Sequence, residues 1–301
     1  KIMLAILAGG MMCMNGALAH NMATWYGNGD SATSWKGIPS GGTITGACIT
    51  GANLVLNGEG THDTIPFADV QNFIGGYSGT ADVTNNTITI SGGSYSSGLY
   101  FYVGLIEGDG TGNANYNNLT IEDGTFSGSG GGASFSAGYV KDGATGDAAY
   151  NTLTIKGGTF SVTECYIYAG YTDETANGDA KNNTLKIEGD ATFNCQCIVV
   201  AGNAYNGESV ADSNNVEISG GSFANSSRFY GGQCVGNVTN NTVKISGGSF
   251  ANDNEFYGGY SYGGNATGNI VEISGGSFGN KNEFYGGYSC LYVNANESPN
   301  A

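Results

Sequence analysis

The stretch Asn241-Thr242-Val243-Lys244-Ile245-Ser246-Gly247-Gly248-Ser249-Phe250 decides the architecture, because its pattern returns along the chain. With the second aliphatic as origin, copies fall at Ile90, Ile121, Ile155, Ile187, Ile218, Ile245 and Ile273, at intervals of 27 to 34 residues. Four residues before each origin stands an asparagine: Asn86, Asn117, Asn151, Asn183, Asn214, Asn241 and Asn269. Two residues before it stands Ile88, Leu119, Leu153, Leu185, Val216, Val243 or Val271. A period of two predicts a strand with asparagine, aliphatic and isoleucine on one face.

Each copy carries a second segment centred on an aromatic three residues before a glycine. The aromatics are Phe101, Phe135, Phe229, Phe256 and Phe284, with Ile167 and Val199 in two copies and Phe73 in a partial first one. Glycine pairs such as Gly92-Gly93, Gly220-Gly221 and Gly275-Gly276 separate the segments and supply the positive φ that corners need. Three short strands and three corners per copy predict an all-β fold: a single-stranded right-handed parallel β-helix, or β-solenoid, of about seven to eight coils of 27–34 residues. The handedness follows the general rule for parallel crossovers.

Stacking turns equivalent positions into ladders. The asparagines are expected to pass amide hydrogen bonds from coil to coil. Lys186, Glu217, Lys244 and Glu272, each just before an origin isoleucine, alternate in sign as adjacent strands require. One residue past the Phe ladder stand Tyr102, Tyr168, Tyr230, Tyr257 and Tyr285; alternation predicts an outward, exposed stripe, either suited to carbohydrate or protein surfaces or serving only to stabilise the sheet by stacking ring on ring. Cys165 and Cys197 stand five residues before Gly170 and Gly202, hence at equivalent positions in adjacent coils. Their Cα atoms should lie about 5 Å apart, within disulfide range, so a Cys165–Cys197 bridge is expected, with Cys195 as the competitor for Cys165. Cys48, Cys234 and Cys290 have no evident mates.

Composition narrows the function. The 301 residues include 54 glycines, 19 tyrosines and 11% charged residues, with net charge −16 and Arg228 as the sole arginine. Neutralising many phosphates is beyond such a chain, which argues against nucleic acid and against an anionic bilayer surface as partners. Residues 1–19 run from Lys1 through an apolar stretch to Ala17-Leu18-Ala19, the order of a secretory signal cleaved before His20. Residues 20–72, with Trp25, Trp35 and both histidines, read as an N-terminal cap and first irregular coil; residues 73–293 are the repeats, and 294–301 read as a truncated tail.

No catalytic constellation stands out. The acids Glu107, Asp109, Asp142, Asp147, Asp173, Glu174, Asp179 and Asp253 scatter over corners, and His62-Asp63 has no nucleophile signature beside it. The segments Glu107-Gly108-Asp109-Gly110 and Asp173-Glu174 through Asn177-Gly178-Asp179 hold oxygen ligands that calcium prefers. They lack the Gly-Gly-x-Gly-x-Asp spacing of calcium-binding β-rolls, so ordinary Asx turns are expected there and no cofactor or metal is assigned.

The run Gly236-Asn237-Val238-Thr239-Asn240-Asn241-Thr242-Val243-Lys244-Ile245-Ser246-Gly247-Gly248-Ser249-Phe250, with Phe256-Tyr257-Gly258-Gly259-Tyr260, resembles adhesin-like passengers of autotransporters, type V secreted proteins of Gram-negative bacteria. That resemblance covers residues 73 to about 293. It implies export, display outside the cell by a C-terminal translocator barrel beyond this sequence, and adhesion to a glycan or protein on a host or neighbouring cell. The reading is thus a non-catalytic surface adhesin or display stalk. Its alternatives are a secreted polysaccharide-active lyase or hydrolase, and a purely structural surface-layer component.

Overall fold

A computed structural model describes residues 22–41, 43–96, 99–108, 110–128 and 132–290. The 1–19 signal, the 294–301 tail and Asp109 lie outside the described residues. The chain is a β-solenoid of about seven turns. One face is a ten-stranded sheet, parallel throughout except for its first edge strand, Trp35–Ile38, which pairs antiparallel with Thr24–Gly27. The opposite wall is a thirteen-stranded sheet carrying the asparagine–isoleucine strands and the short aromatic strands beyond the glycines. A narrow third face, formed by two-residue and three-residue strands such as Ala180–Lys181 and Val210–Asp212, closes the loop. Each later coil therefore has four strand segments where three were expected. The extra one was hidden because two or three residues cannot show a period.

Across the asparagine–isoleucine strands register follows the repeat, and the shift between Thr87–Ser96 and Asn118–Ser127 falls at Asp123, beyond the isoleucines. Ile121 pairs with Ile155, Ile155 with Ile187, Ile187 with Ile218, and so on to Ile273. The coil pattern begins before Phe73: Trp25 pairs with Phe73, and Leu54 and Leu56 pair with Ile88 and Ile90. Two aromatic columns fill the interior. Phe101 and Phe135 stack at 4.9 Å, as do Tyr95 and Phe126, while Phe101 meets Phe126 edge-on at 5.9 Å. Full burial of such a ring contributes about 1.5–3 kcal/mol, and the alternation of stacked and edge-on contacts suits the ring quadrupoles.

The asparagines lie inside this core. Asn183 donates from Nδ2 to Asn214 Oδ1 at 3.0 Å and to the Ala148 carbonyl at 2.9 Å. Its Oδ1 accepts from the Asn151 backbone N–H at 2.9 Å and from Asn151 Nδ2 at 3.1 Å. The same amide-to-amide bond joins Asn86 to Asn117, Asn117 to Asn151, Asn214 to Asn241 and Asn241 to Asn269. The residue before each asparagine is left-handed: Asn85, Tyr116, Tyr150, Asn182, Ser213, Asn240 and Gly268 all have φ between 55° and 68°. That kink aims the amide inward. Space for it comes from the facing strand, where a Cβ at Gly104, Gly138, Gly170, Gly202 or Gly232 would overlap the ladder amide.

At the glycine-pair corners the two residues divide the work. Gly221 takes φ +84°, whereas Gly220 is needed because a side chain there would run into the Gly189 carbonyl of the coil below. On the outside, Lys186 reaches Glu217 at 3.1 Å and Lys244 reaches Glu272 at 3.6 Å. Pairs this exposed contribute at most about 1 kcal/mol, so they reinforce register more than stability.

Asn183→Ala leaves four buried bonds unmade and should lower stability by at least about 3 kcal/mol. Gly170→Ala should also destabilise, through overlap with Asn183. In the double variant the added methyl occupies space the amide vacated, so urea midpoints should show a combined loss well below the sum. Additive losses would mean that glycine and amide do not share one space.

Candidate functional site

The outer face of the ten-stranded sheet is a wall of tyrosines, but it is not the exposed stripe that alternation predicted. Tyr168, Tyr230 and Tyr257 are only 5%, 5% and 7% exposed, and Tyr102 and Tyr285 are half-buried. The column is also interrupted, with Ser136 between Tyr102 and Tyr168 and Val200 between Tyr168 and Tyr230. A second column three residues further along covers the first. Tyr257 stacks on Tyr230 at 5.1 Å and on Tyr285 at 4.9 Å, and meets Tyr260 edge-on at 5.1 Å. On sheet strands roughly 4.8 Å apart, large outward side chains bury one another. Outward is therefore not the same as exposed. Burial pushes the phenols of Tyr139, Tyr171 and Tyr230 well up, so these hydroxyls stay protonated.

An acid group borders this wall. Lys141, itself 3% exposed, lies 2.9 Å from Glu107 and 3.3 Å from Asp142. Asp173 caps the next turn, its Oδ1 accepting from the backbone N–H of Thr175 and Ala176 at 3.0 and 3.1 Å. Burial raises the Asp173 pKa, and the Asp142 charge adds to the rise. Asp147 and Asp179 belong to another ladder: Asp147 Oδ1 accepts the Asp179 N–H at 2.9 Å, and Asp179 Oδ1 accepts the Val210 N–H at 2.7 Å. Asp179 also holds Lys181 at 2.5 Å. Of the acids considered for calcium, Asp173 and Asp179 thus tie one coil to the next or cap a turn, and Glu107 faces Lys141.

The exposed aromatic feature lies elsewhere. Tyr116 and Tyr150, just ahead of ladder asparagines, are 55% and 49% exposed and stack at 5.0 Å with planes 8° apart. Both have φ +57°. Asparagine and glycine tolerate that region, whereas a bulky ring there is uncommon and strained by about 1 kcal/mol or more. The backbone N–H of Asn85 donates to Asn115 O, that of Tyr116 to Ala149 O, and that of Tyr150 to Lys181 O. Asn85, Tyr116, Tyr150 and Asn182 consequently line one corner in succession, and all four are exposed. Nothing in periodicity marked these tyrosines. The available signal was that they occupy the residue before the asparagine, where Asn85, Asn182, Ser213, Asn240 and Gly268 are small or polar.

Cys165 and Cys197 do pair in register, but both are free thiols and not the expected bridge. Cys195 is the third member of the group: the three sulfurs all lie within 4.8 Å of one another, and the residues are 0%, 5% and 0% exposed for Cys165, Cys195 and Cys197. Hydrogen bonds from Cys165 and Cys197 hold the Cys195 thiol pKa well down, while burial pushes those of the two donors up. Cys48 and Cys234 donate instead to backbone carbonyls of Thr50 and Ser209, at 3.2 and 2.9 Å.

Asp173 gives a pH test. Because its folded pKa is raised, its contribution to stability is fully present below the ordinary carboxylate range and is lost as pH rises through the raised value. Asp173→Asn, which keeps an oxygen for the turn, should be more stable than the parent at pH 7 and lose that advantage under acid conditions. Urea midpoints measured across that range should converge toward low pH.

The sequence matches no protein-family model, and no curated protein or solved structure is significantly similar to it. The geometry establishes a parallel β-solenoid whose one exposed ring pair, among the described residues of its middle coils, is Tyr116 and Tyr150.

Proposed function

We propose that the chain is an exported, non-catalytic cell-surface protein, an adhesin or display stalk, and that it binds glycan through the corner formed by Asn85, Tyr116, Tyr150 and Asn182. The observation that carries this reading is the exposed, stacked tyrosine pair held at a strained backbone position. Sugar rings pack their C–H faces on aromatic rings, and the flanking amides supply donors and acceptors for hydroxyls. A rigid stack of coils holds the four side chains at fixed spacing, so little ordering is needed on binding. Surface localisation and the translocator barrel belong to the same proposal, supported by the repeat pattern and the signal-like residues 1–19.

A second reading, polysaccharide cleavage, draws on Asp142 and the raised Asp173 beside Lys141. Against it, Asp173 is committed to its turn and Lys141 to two carboxylates.

The test is an immobilised panel of cell-surface glycans probed with the parent chain and with Tyr116→Asn/Tyr150→Asn. Binding should be lost in the double variant. Its stability should rise by about 1 kcal/mol, since two strained positions of roughly 1 kcal/mol each are relieved against one lost ring pair of about 0.5–1.5 kcal/mol. Undiminished glycan binding by the double variant would remove this corner as the site. Release of reducing sugar ends from the panel by the parent, abolished in Asp173→Asn, would favour the cleavage reading instead.

A further inference from the structure

The corner that carries Cys195 is built unlike those above it. Phe193 pairs with Phe223 and Ile198 with Arg228, so Cys195 stands where Asn225 stands in the next coil and Asn252 in the one after. Asn225 and Asn252 are exposed, bonded to each other at 2.9 Å, and their corners turn on left-handed Ser226 and Asp253. In the cysteine coil the strand already begins at Gln196, and Cys195 is turned inward. The inward column changes at the same place. It runs Leu99, Ala133, Cys165, Cys197, Ser227 and Asn254, and above the thiols its oxygens accept backbone N–H groups from the coil below: Ser227 from Cys197 at 3.1 Å, Asn254 from Ser227 at 2.8 Å. Two coils thus set sulfur between the hydrocarbon of Leu99 and Ala133 below and the oxygens of Ser227 and Asn254 above, and a third sulfur is bent in to meet them.

We propose that Cys165, Cys195 and Cys197 form a three-thiolate site for a soft d10 metal ion, of the class of zinc or cadmium. Metal–sulfur bonds of about 2.3 Å place the sulfurs of such a site roughly 4 Å apart, which fits three sulfurs all within 4.8 Å of one another. A disulfide would draw two sulfurs to about 2.05 Å and leave the third thiol buried without its partners. Thiolate selects thiophilic ions over calcium or magnesium, and the described residues place no carboxylate in the group. Loading breaks the S–H bonds, forms three metal–sulfur bonds and releases the thiol protons to solvent, so no oxidant or reductant is needed. Cys195, the least enclosed of the three, marks the side of entry.

The test uses the full chain, reduced and metal-free under argon, titrated with cadmium chloride. Thiolate-to-cadmium absorption should saturate at one equivalent, X-ray absorption at the cadmium edge should show a three-sulfur shell, and proton release should accompany loading. Cys195→Ser should lose the three-sulfur shell while its circular dichroism matches the parent, and Cys234→Ser should bind as the parent does. A shell of fewer than three sulfurs in the parent, or an unchanged shell in Cys195→Ser, would overturn the site. So would recovery of two of the three cysteines as a disulfide that excludes cadmium.

Discussion

The structure depends on a buried column of amides. A parallel stack of short strands has no hairpin to set its register, and a slip of one residue would turn every apolar side chain outward. The asparagines oppose that slip because their bonds are specific in a way that apolar contact is not. Asn151 donates both to Asn183 Oδ1 and to the Ala114 carbonyl, and a shifted coil would strand both groups in the core. The left-handed residue before each asparagine and the glycine opposite it serve this column, one aiming the amide and the other making room. Neighbouring coils are thereby locked in pairs, and the aromatic columns stack because the amides hold them in line.

Once the column is satisfied, the outer positions are free to vary, and the departures from the repeat are where chemistry collects. Asn85, Asn182 and Asn240 occupy the left-handed position comfortably, yet two adjacent coils place Tyr116 and Tyr150 there. The inward column runs from the hydrocarbon of Leu99 and Ala133 to the oxygens of Ser227 and Asn254, and between them two adjacent coils use Cys165 and Cys197. Both exceptions fall in neighbouring coils, and in each the side chains meet: the rings at 5.0 Å and the sulfurs within 4.8 Å. A solenoid builds a site by changing the same position in successive turns, because the stack itself brings those positions together.

The fold was legible because its signal is repeated. Asn183, Leu185 and Ile187 alone would be one short strand, but seven copies in step leave no other stacking, and the register from Ile121 to Ile273 follows the spacing. The short third face was illegible, since Ala180–Lys181 is too brief to carry a period. The tyrosine wall was misread for a different reason: alternation tells which side of a sheet Tyr230 is on, while its 5% exposure is set by neighbours such as Tyr257 and Tyr260, which lie on it only after stacking. Register placed Cys165 opposite Cys197, but the inward turn of Cys195 depends on a corner conformation that no spacing encodes. Tyr116 and Tyr150 were visible only as exceptions to a rule about φ that the structure had first to supply.

Hydrogen exchange of the asparagine side-chain amides, followed by NMR, reports whether the amide column holds the coils in register. If the column holds the register, the Nδ2 protons of Asn117, Asn151, Asn183, Asn214 and Asn241 should exchange as slowly as the backbone amides of the strands around them, opening only when coils separate. Exchange of these amides at the rate of exposed asparagines such as Asn240, while the strands remain protected, would contradict it.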